Sequence, residues 1–250
     1  MNKGNILVIG NSGVGKSTLI NAVLGEDCAE TNWGSEGTTR ELELYETDAI
    51  PFRIIDTVGF EPSFFKERRA INAVKKWSKE SAKSGHEDTG INAIWFCVDG
   101  TARKLFPKTI NNLSKATAMW KSVPVIVVIT KSYSVPEREQ NKKMINSAFA
   151  KQKSYSKNLC EVLCVVASTF TLNDTAYAPP EGISELIDIT SKIMPEGVRG
   201  SANDIAKFKL NRKRALSQAT VGAATAAGVV VGAIPIPFSD TLYSLQQKLL

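Results

Sequence analysis

Histidine is almost absent from this chain of 250 residues, and cysteine is scarce. The single histidine, His86, falls in the polar stretch from Ser81 to Gly90, where a solvated side chain is expected rather than a catalytic one. The four cysteines, at positions 28, 97, 160 and 164, lack paired metal spacing. Cys97 and Cys164 sit within apolar runs where a small buried thiol fits, so free thiols in a reducing compartment are expected. No histidine or further cysteine lies near Cys160 and Cys164 to complete a metal set. The net charge of +6, from 31 basic and 25 acidic residues, is modest, and no aromatic ladder interleaved with arginine accompanies it. Nucleic acid is therefore not an expected partner, whereas an anionic ligand or a surface of acidic lipids suits the charge. Met1-Asn2-Lys3-Gly4 leads straight into an apolar run, which leaves no space for a signal peptide and points to the cytoplasm.

What is present is a core-forming pattern. Hydrophobic residues make up 43% of the chain, enough for one α/β domain of ordinary size with a smaller appendage. Strand-like runs recur at Ile6 to Ile9, Glu41 to Tyr45, Phe52 to Ile55, Ile91 to Val98, Val123 to Thr130 and Glu161 to Ala167, with helical stretches between them. This alternation predicts an α/β fold with a mostly parallel six-stranded sheet and helices on both faces. The second run alternates leucine with glutamate and reads as an edge strand beside the third. Helices are expected near 16–25, 64–83, 107–121, 136–152 and 181–194, with Pro136 and Pro180 close to two of the starts. A change of composition from Pro195 to Ser201 divides an expected first domain, 1–197, from a helical C-terminal unit, 198–250.

The densest chemical signal is Gly10-Asn11-Ser12-Gly13-Val14-Gly15-Lys16-Ser17, a G-x-x-x-x-G-K-[ST] loop that follows an apolar strand and opens a helix. Its glycines let the backbone curl round an anion, and the helix start adds partial positive charge. Residues 11–18, from Asn11 to Thr18, are expected to hold a nucleoside triphosphate. Lys16 would bridge its terminal phosphates, and the Ser17 hydroxyl would ligate Mg2+. Some forty residues on, Asp56-Thr57-Val58-Gly59 closes another apolar strand, where the Asp56 carboxylate can hold a metal-bound water and the Gly59 N–H can reach the γ-phosphate. Between them the polar segment Gly34 to Arg40 offers Thr39 as second magnesium ligand, with Thr38 competing for the role.

These residues resemble a translation-factor-class GTPase of the Ras-like fold, nearest in Gly37-Thr38-Thr39-Arg40 to the Era and TrmE group, with septin and immunity-associated branches sharing the loop and Thr18-Leu19-Ile20-Asn21-Ala22. The resemblance covers about residues 4–195. It implies a P-loop NTPase G domain that binds GTP or GDP with Mg2+ and orders two switch segments, 26–40 and 56–69, as it hydrolyses GTP. The catalytic set it implies is Lys16, Thr39 and Gly59, with magnesium on Ser17, Thr39 and Asp56. The chain departs from the pattern in three places. Phe60 follows Gly59 where Ras proteins keep a water-orienting glutamine nearby, so intrinsic hydrolysis is expected to be slow and assisted by a partner, a second copy or a switch residue. Gly13 stands where potassium-activated relatives carry asparagine; Arg40 and Arg103 are candidates for charge stabilisation in trans. At the base, Thr130-Lys131-Ser132-Tyr133 replaces Asn/Thr-Lys-x-Asp. Thr130 can brace the phosphate loop and Lys131 can lie on the purine, but Tyr133 removes the acceptor for two guanine N–H groups, on the order of 1.5–3 kcal/mol of discrimination. Ala167 and Ser168, ending Val165-Val166-Ala167-Ser168, match the turn that contacts guanine O6. GTP remains expected over ATP.

The tail differs in character. A basic cluster at Lys207, Lys209, Arg212, Lys213 and Arg214 precedes a stretch without any charge up to Asp240, in which Ala224, Gly228 and Gly232 form a small-residue stripe and Pro235 and Pro237 break the run. A helical hairpin is expected, similar to the Ala/Gly-rich helical C-terminal domain with an Ile-Pro-Ile-Pro-Phe bend that follows GTPase domains in a bacterial group. Residues 201–250 would meet partner helices or a membrane surface, and a homodimer across the nucleotide face is a further expected partnership. Leu250 ends an apolar helix without a cap, so a longer natural chain is expected. Two rival readings stay open: an assembly protein with incidental turnover, and an NTPase of relaxed base specificity.

Overall fold

Ile6 to Ile9 form an unbroken apolar run that leaves no face for water, and all four residues are buried at the centre of a sheet covered on both sides. The structure is a computed structural model in which residues 3–25, 29–30, 42–47, 50–57, 72, 74, 76, 90–120, 122–173, 176–195 and 202–226 are described. Strand β1 (Gly4–Gly10) runs parallel to β4 (Phe52–Thr57) on one side and to β5 (Ile91–Asp99) on the other. Beyond β5 the parallel sheet continues through β6 (Val125–Thr130) and β7 (Leu159–Cys164). On the far side of β4, β3 (Leu42–Glu46) pairs antiparallel and β2 (Ala29–Glu30) closes the edge, giving the order β2-β3-β4-β1-β5-β6-β7. All six expected strands are present. The additional β2 is a two-residue pairing, too short for any periodicity to announce.

Successive side chains of a strand point to opposite faces, and the core divides accordingly. Ile6, Val8, Ile54, Trp95 and Ile126 pack on one face with helices α1 (Lys16–Leu24) and α4 (Ile183–Ile193). Leu7, Ile9, Ile55, Phe96 and Val127 pack on the other with α2 (Phe106–Ala116) and α3 (Arg138–Ala150). Pro107 lies in the first turn of α2, where a missing N–H costs nothing. Of the helix expected at 64–83, residues 72, 74 and 76 are helical and Val74 is buried in the second face; its remaining residues lie outside the described ones.

A small antiparallel pair, β8 (Phe170–Asn173) with β9 (Ala176–Ala178), stands apart from the main sheet, and the sequence reading had no strand there. The C-terminal helix α5 (Ala202–Ala226) starts close to the expected composition change and lies back on the first unit. Ile205, Phe208 and Leu216 pack against the α1/α4 face, Lys209 pairs with Asp188 of α4, and Arg212 donates to the carbonyls of Asn21 and Ala22 at 3.2–3.3 Å. The second arm of the expected hairpin, residues 227–250, lies outside the described residues. Among the described residues no helix is long and apolar enough to cross a membrane, and no group of three His, Cys, Asp or Glu side chains could hold a metal.

Candidate nucleotide site

The site is built where β1 ends. Gly13 and Gly15 adopt φ of 78° and 94°, left-handed values that glycine reaches without strain, and they turn the chain from strand into α1. Gly10 answers a different need: a Cβ there would lie 2.5 Å from the Cys97 carbonyl oxygen. Helix α1 starts at Lys16 with Gly15 as its N-cap and no side chain capping it, so its first N–H groups are left for an anion. The Lys16 side chain is only 8% exposed and folds over the loop, its Nζ donating to the carbonyls of Gly10 at 3.0 Å and Asn11 at 3.3 Å. Val14 is buried beneath the loop, while Ser12, Ser17 and Thr18 are exposed on it.

Asp56 lies one strand away, in register with Val8 of β1 and with Glu43 of β3. The adjacent Thr57 fixes this strand end by donating from Oγ1 to the Val8 carbonyl at 3.1 Å. Asp56 is 3% exposed, and its Oδ1 has no hydrogen-bond partner among the described residues. Burial raises its pKa to about 6; Lys16 pulls the value down and Glu43 pushes it up. A buried carboxylate oxygen without a partner among the described residues, within electrostatic reach of Lys16, and the exposed hydroxyls that follow that lysine are hard-oxygen donors of the kind Mg2+ takes through a carboxylate and retained waters. Ser17 and Asp56 thus fit the magnesium role. Thr38, Thr39 and Gly59, together with Arg40 and Phe60, lie outside the described residues.

The base side is made by turns at the ends of β5, β6 and β7. Thr130 is buried, and its one hydroxyl proton has the Val14 carbonyl at 2.6 Å and the Val98 carbonyl at 3.0 Å in reach of Oγ1, the shorter contact tying the phosphate loop to the sheet. Lys131 lies across the same loop, its Nζ donating to the Gly13 carbonyl and to Asp99 Oδ2, each at 2.7 Å. The Ser132 N–H donates to the Val165 carbonyl at 3.2 Å, which brings the turn carrying Ala167 and Ser168 beside the turn carrying Lys131 and Tyr133. Ala167 is half-buried and Ser168 exposed.

Two residues escaped the sequence reading. Asp99 ends β5 in register with Thr130, where it holds Lys131 and accepts from the N–H and hydroxyl of Thr101 at 2.9 and 2.6 Å. Burial works against its ionisation, but Lys131 and Thr101 outweigh that and hold the carboxyl below the usual range. The one available signal was an Asp-Gly pair closing an apolar strand. The second is Phe170, which stacks on Tyr133 with ring centroids 4.0 Å apart. Arg103, expected as a candidate in trans, is held by Glu137 at 3.0 Å.

Comparison with known proteins gives the family of the chain. Residues 5–131, half of the chain, match the family model described as 50S ribosome-binding GTPase. GTPase Era of Vibrio vulnificus is 30% identical over 139 residues, which is 55% of this chain and 39% of that protein. The probable GTP-binding protein EngB of Thermotoga petrophila is 24% identical over 195 residues, 78% of this chain and 88% of that one. The chain thus spans about two fifths of the length of the Era relative that it matches. Among solved structures, a GTP-binding protein from Sulfolobus solfataricus in complex with GDP aligns with a TM-score of 0.49 at 16% identity, over 76% of this chain and 52% of that one.

Proposed function

The chain belongs to the P-loop GTPase family described as 50S ribosome-binding GTPases, and on that premise we propose that it is a nucleotide-operated switch that hydrolyses GTP slowly to GDP and phosphate. One observation carries the reading: the ammonium of Lys16, at the start of α1, folds over the glycine loop that ends β1, and the buried Oδ1 of Asp56, without a hydrogen-bond partner among the described residues, belongs to the neighbouring parallel strand in register with Val8. A cation and a carboxylate poised at an anion cradle suit a polyphosphate with its metal, and they suit little else.

In this reading the N–H groups of residues 13–18 and the Lys16 ammonium hold the phosphate chain. Ser17, Thr39 and Asp56 would hold Mg2+, which when bound neutralises phosphate charge. Water attacks the γ-phosphorus, GDP leaves, and Lys16 carries part of the charge that develops on the transferred group. Thr39 and Gly59 would report whether the γ-phosphate is present. Phe60 cannot orient the attacking water, which supports a slow intrinsic rate. The output would pass through α5, whose contacts with α1 and with Thr169 support a link between nucleotide state and a partner, a second copy or a membrane surface met by residues 201–250. Residence in the cytoplasm belongs to the same reading.

Mass spectrometry of nucleotide released from purified protein, run beside Lys16→Ala, tests the site. GTP or GDP should accompany the wild type and be lost from the variant by about a hundredfold or more in affinity, since one charge-assisted contact is removed from a desolvated phosphate site. Equal occupancy in the two proteins would refute it.

A further inference from the structure

Charge is unevenly shared along this chain. From Gly100 to Cys160 stand twelve lysines and arginines but only two acids, and both acids are taken: Glu137 by Arg103 at 3.0 Å and Glu139 by Lys142 at 3.7 Å. The same segment supplies α2 and α3, which pack side by side on the second face of the sheet. Lys104, Lys108 and Lys115, on and just before α2, are exposed, as are Lys143, Lys151 and Lys157, on and after α3. None of the six has an ion-pair partner among the described residues. This side of the molecule thus presents a positive field that its own acids do not cancel.

Between the two helices the surface is recessed. A slot of about 290 Å³ is lined by Pro107 of α2 and by Met144 and Ala148 of α3, with Lys143 and Lys151 also at its walls. That volume lies at the bottom of the roughly 300–1,000 Å³ range of small-molecule pockets, and it suits one anchoring apolar side chain better. A flat layer of acidic headgroups would pair with the lysines and leave the slot empty. A polynucleotide would gain from rings on which bases stack, and no aromatic residue of this segment is exposed among the described residues. An acidic amphipathic helix meets both features, since residues at i, i+3, i+4 and i+7 make one apolar stripe while acids flank it. We propose that the α2/α3 face docks an acidic amphipathic helix of a partner protein, its apolar stripe seated in the slot and its carboxylates meeting the lysines on either side. None of these residues belongs to the candidate nucleotide site, so the docking face stands apart from the nucleotide reading.

Fluorescence anisotropy of a labelled peptide of about 15 residues, with leucines at helical spacing between glutamates, measures binding to the full chain. Saturable binding is expected, weakening as salt rises from about 0.05 to about 0.5 M. Lys143→Glu combined with Lys151→Glu should weaken it by about tenfold, and Met144→Gln by about fivefold, while thermal melting and nucleotide occupancy stay at their wild-type values. A scrambled peptide of the same composition carries the charges without the stripe and should bind about fivefold more weakly. The proposal would be overturned by an ordered peptide that fails to bind, by a scrambled one that binds as tightly, or by variants that bind like the wild type. Phosphatidylserine vesicles or poly(U) RNA held through Lys143 and Lys151 more tightly than the peptide would overturn it as well, and would assign the face to lipid or to RNA.

Discussion

A buried carboxylate with one oxygen lacking a hydrogen-bond partner among the described residues must stay protonated, meet a cation or cost stability, and Asp56 is placed to face that choice even with the Thr57 N–H and Lys16 favouring its charged form. Its value in the fold, about 6, lies above the 3.8 of an unperturbed aspartate, so the folded chain binds this proton more tightly than the unfolded one. The contribution of Asp56 to stability is therefore full below pH 3.8 and is lost as pH rises through about 6. In the absence of divalent cation, Asp56→Asn should gain on the order of 2 kcal/mol relative to wild type between about pH 4 and pH 7.5, because the amide does not ionise. Urea denaturation at the two pH values in chelator measures it, and a wild-type-to-variant difference that does not move with pH would exclude this account. Cys97, two strands over on β5, illustrates the opposite use of burial. Its thiol is pushed up to about 12, first by desolvation, and it serves as a small inert filler beside Gly10.

Helix α1 joins two distant tasks, since its N-terminus faces the phosphate loop and its C-terminus is capped from 190 residues away in sequence by Arg212 of α5. The last carbonyls of a helix lack intrahelical donors; Arg212 serves that of Ala22, shares that of Asn21 with the Gly25 N–H, and meets the negative end of the helix dipole. Arg212→Ala should lower stability by about 1 kcal/mol, or about 2–4 °C in Tm for a chain of this size, with Arg212→Lys recovering part of the loss. Calorimetry of the three proteins would show it; an unchanged Tm would mean that the cap contributes nothing. Elements of this kind mark the boundary of what the sequence disclosed. β1, the glycine loop and α1 follow from local pattern because strand, turn and helix signals lie within twenty residues and agree. The Arg212 cap, the Asp99–Lys131 pair and the Tyr133–Phe170 stack do not, since each joins residues whose proximity is set by topology rather than spacing. Tyr133 was legible as a departure from a motif, but its partner was not, for β8 is four residues long and carries no periodicity of its own.

At the scale of the whole molecule, α5 touches two of the elements that carry the candidate site, α1 at its far end and the chain just past the Ala167–Ser168 turn. Arg212 reaches the back of the phosphate-binding helix, and Thr220 lies 3.0 Å from Thr169, one residue past the turn that carries Ala167 and Ser168. Leu216, between these contacts, and Phe208, one turn before them, pack on the same face of the sheet that supports α1. A ligand that orders the loop and the base turn removes freedom from both anchoring points of the helix, and local opening of α5 then has to disrupt a stiffer surface. Nucleotide with Mg2+ should therefore slow amide exchange in residues 205–220 by about tenfold, alongside the protection of residues 11–18 that direct contact supplies. Hydrogen exchange followed by mass spectrometry, with and without nucleotide, reads both segments in one experiment. If the loop gains protection while α5 exchanges at its former rate, the helix is a passive passenger, and any signal to a partner leaves the domain by another route.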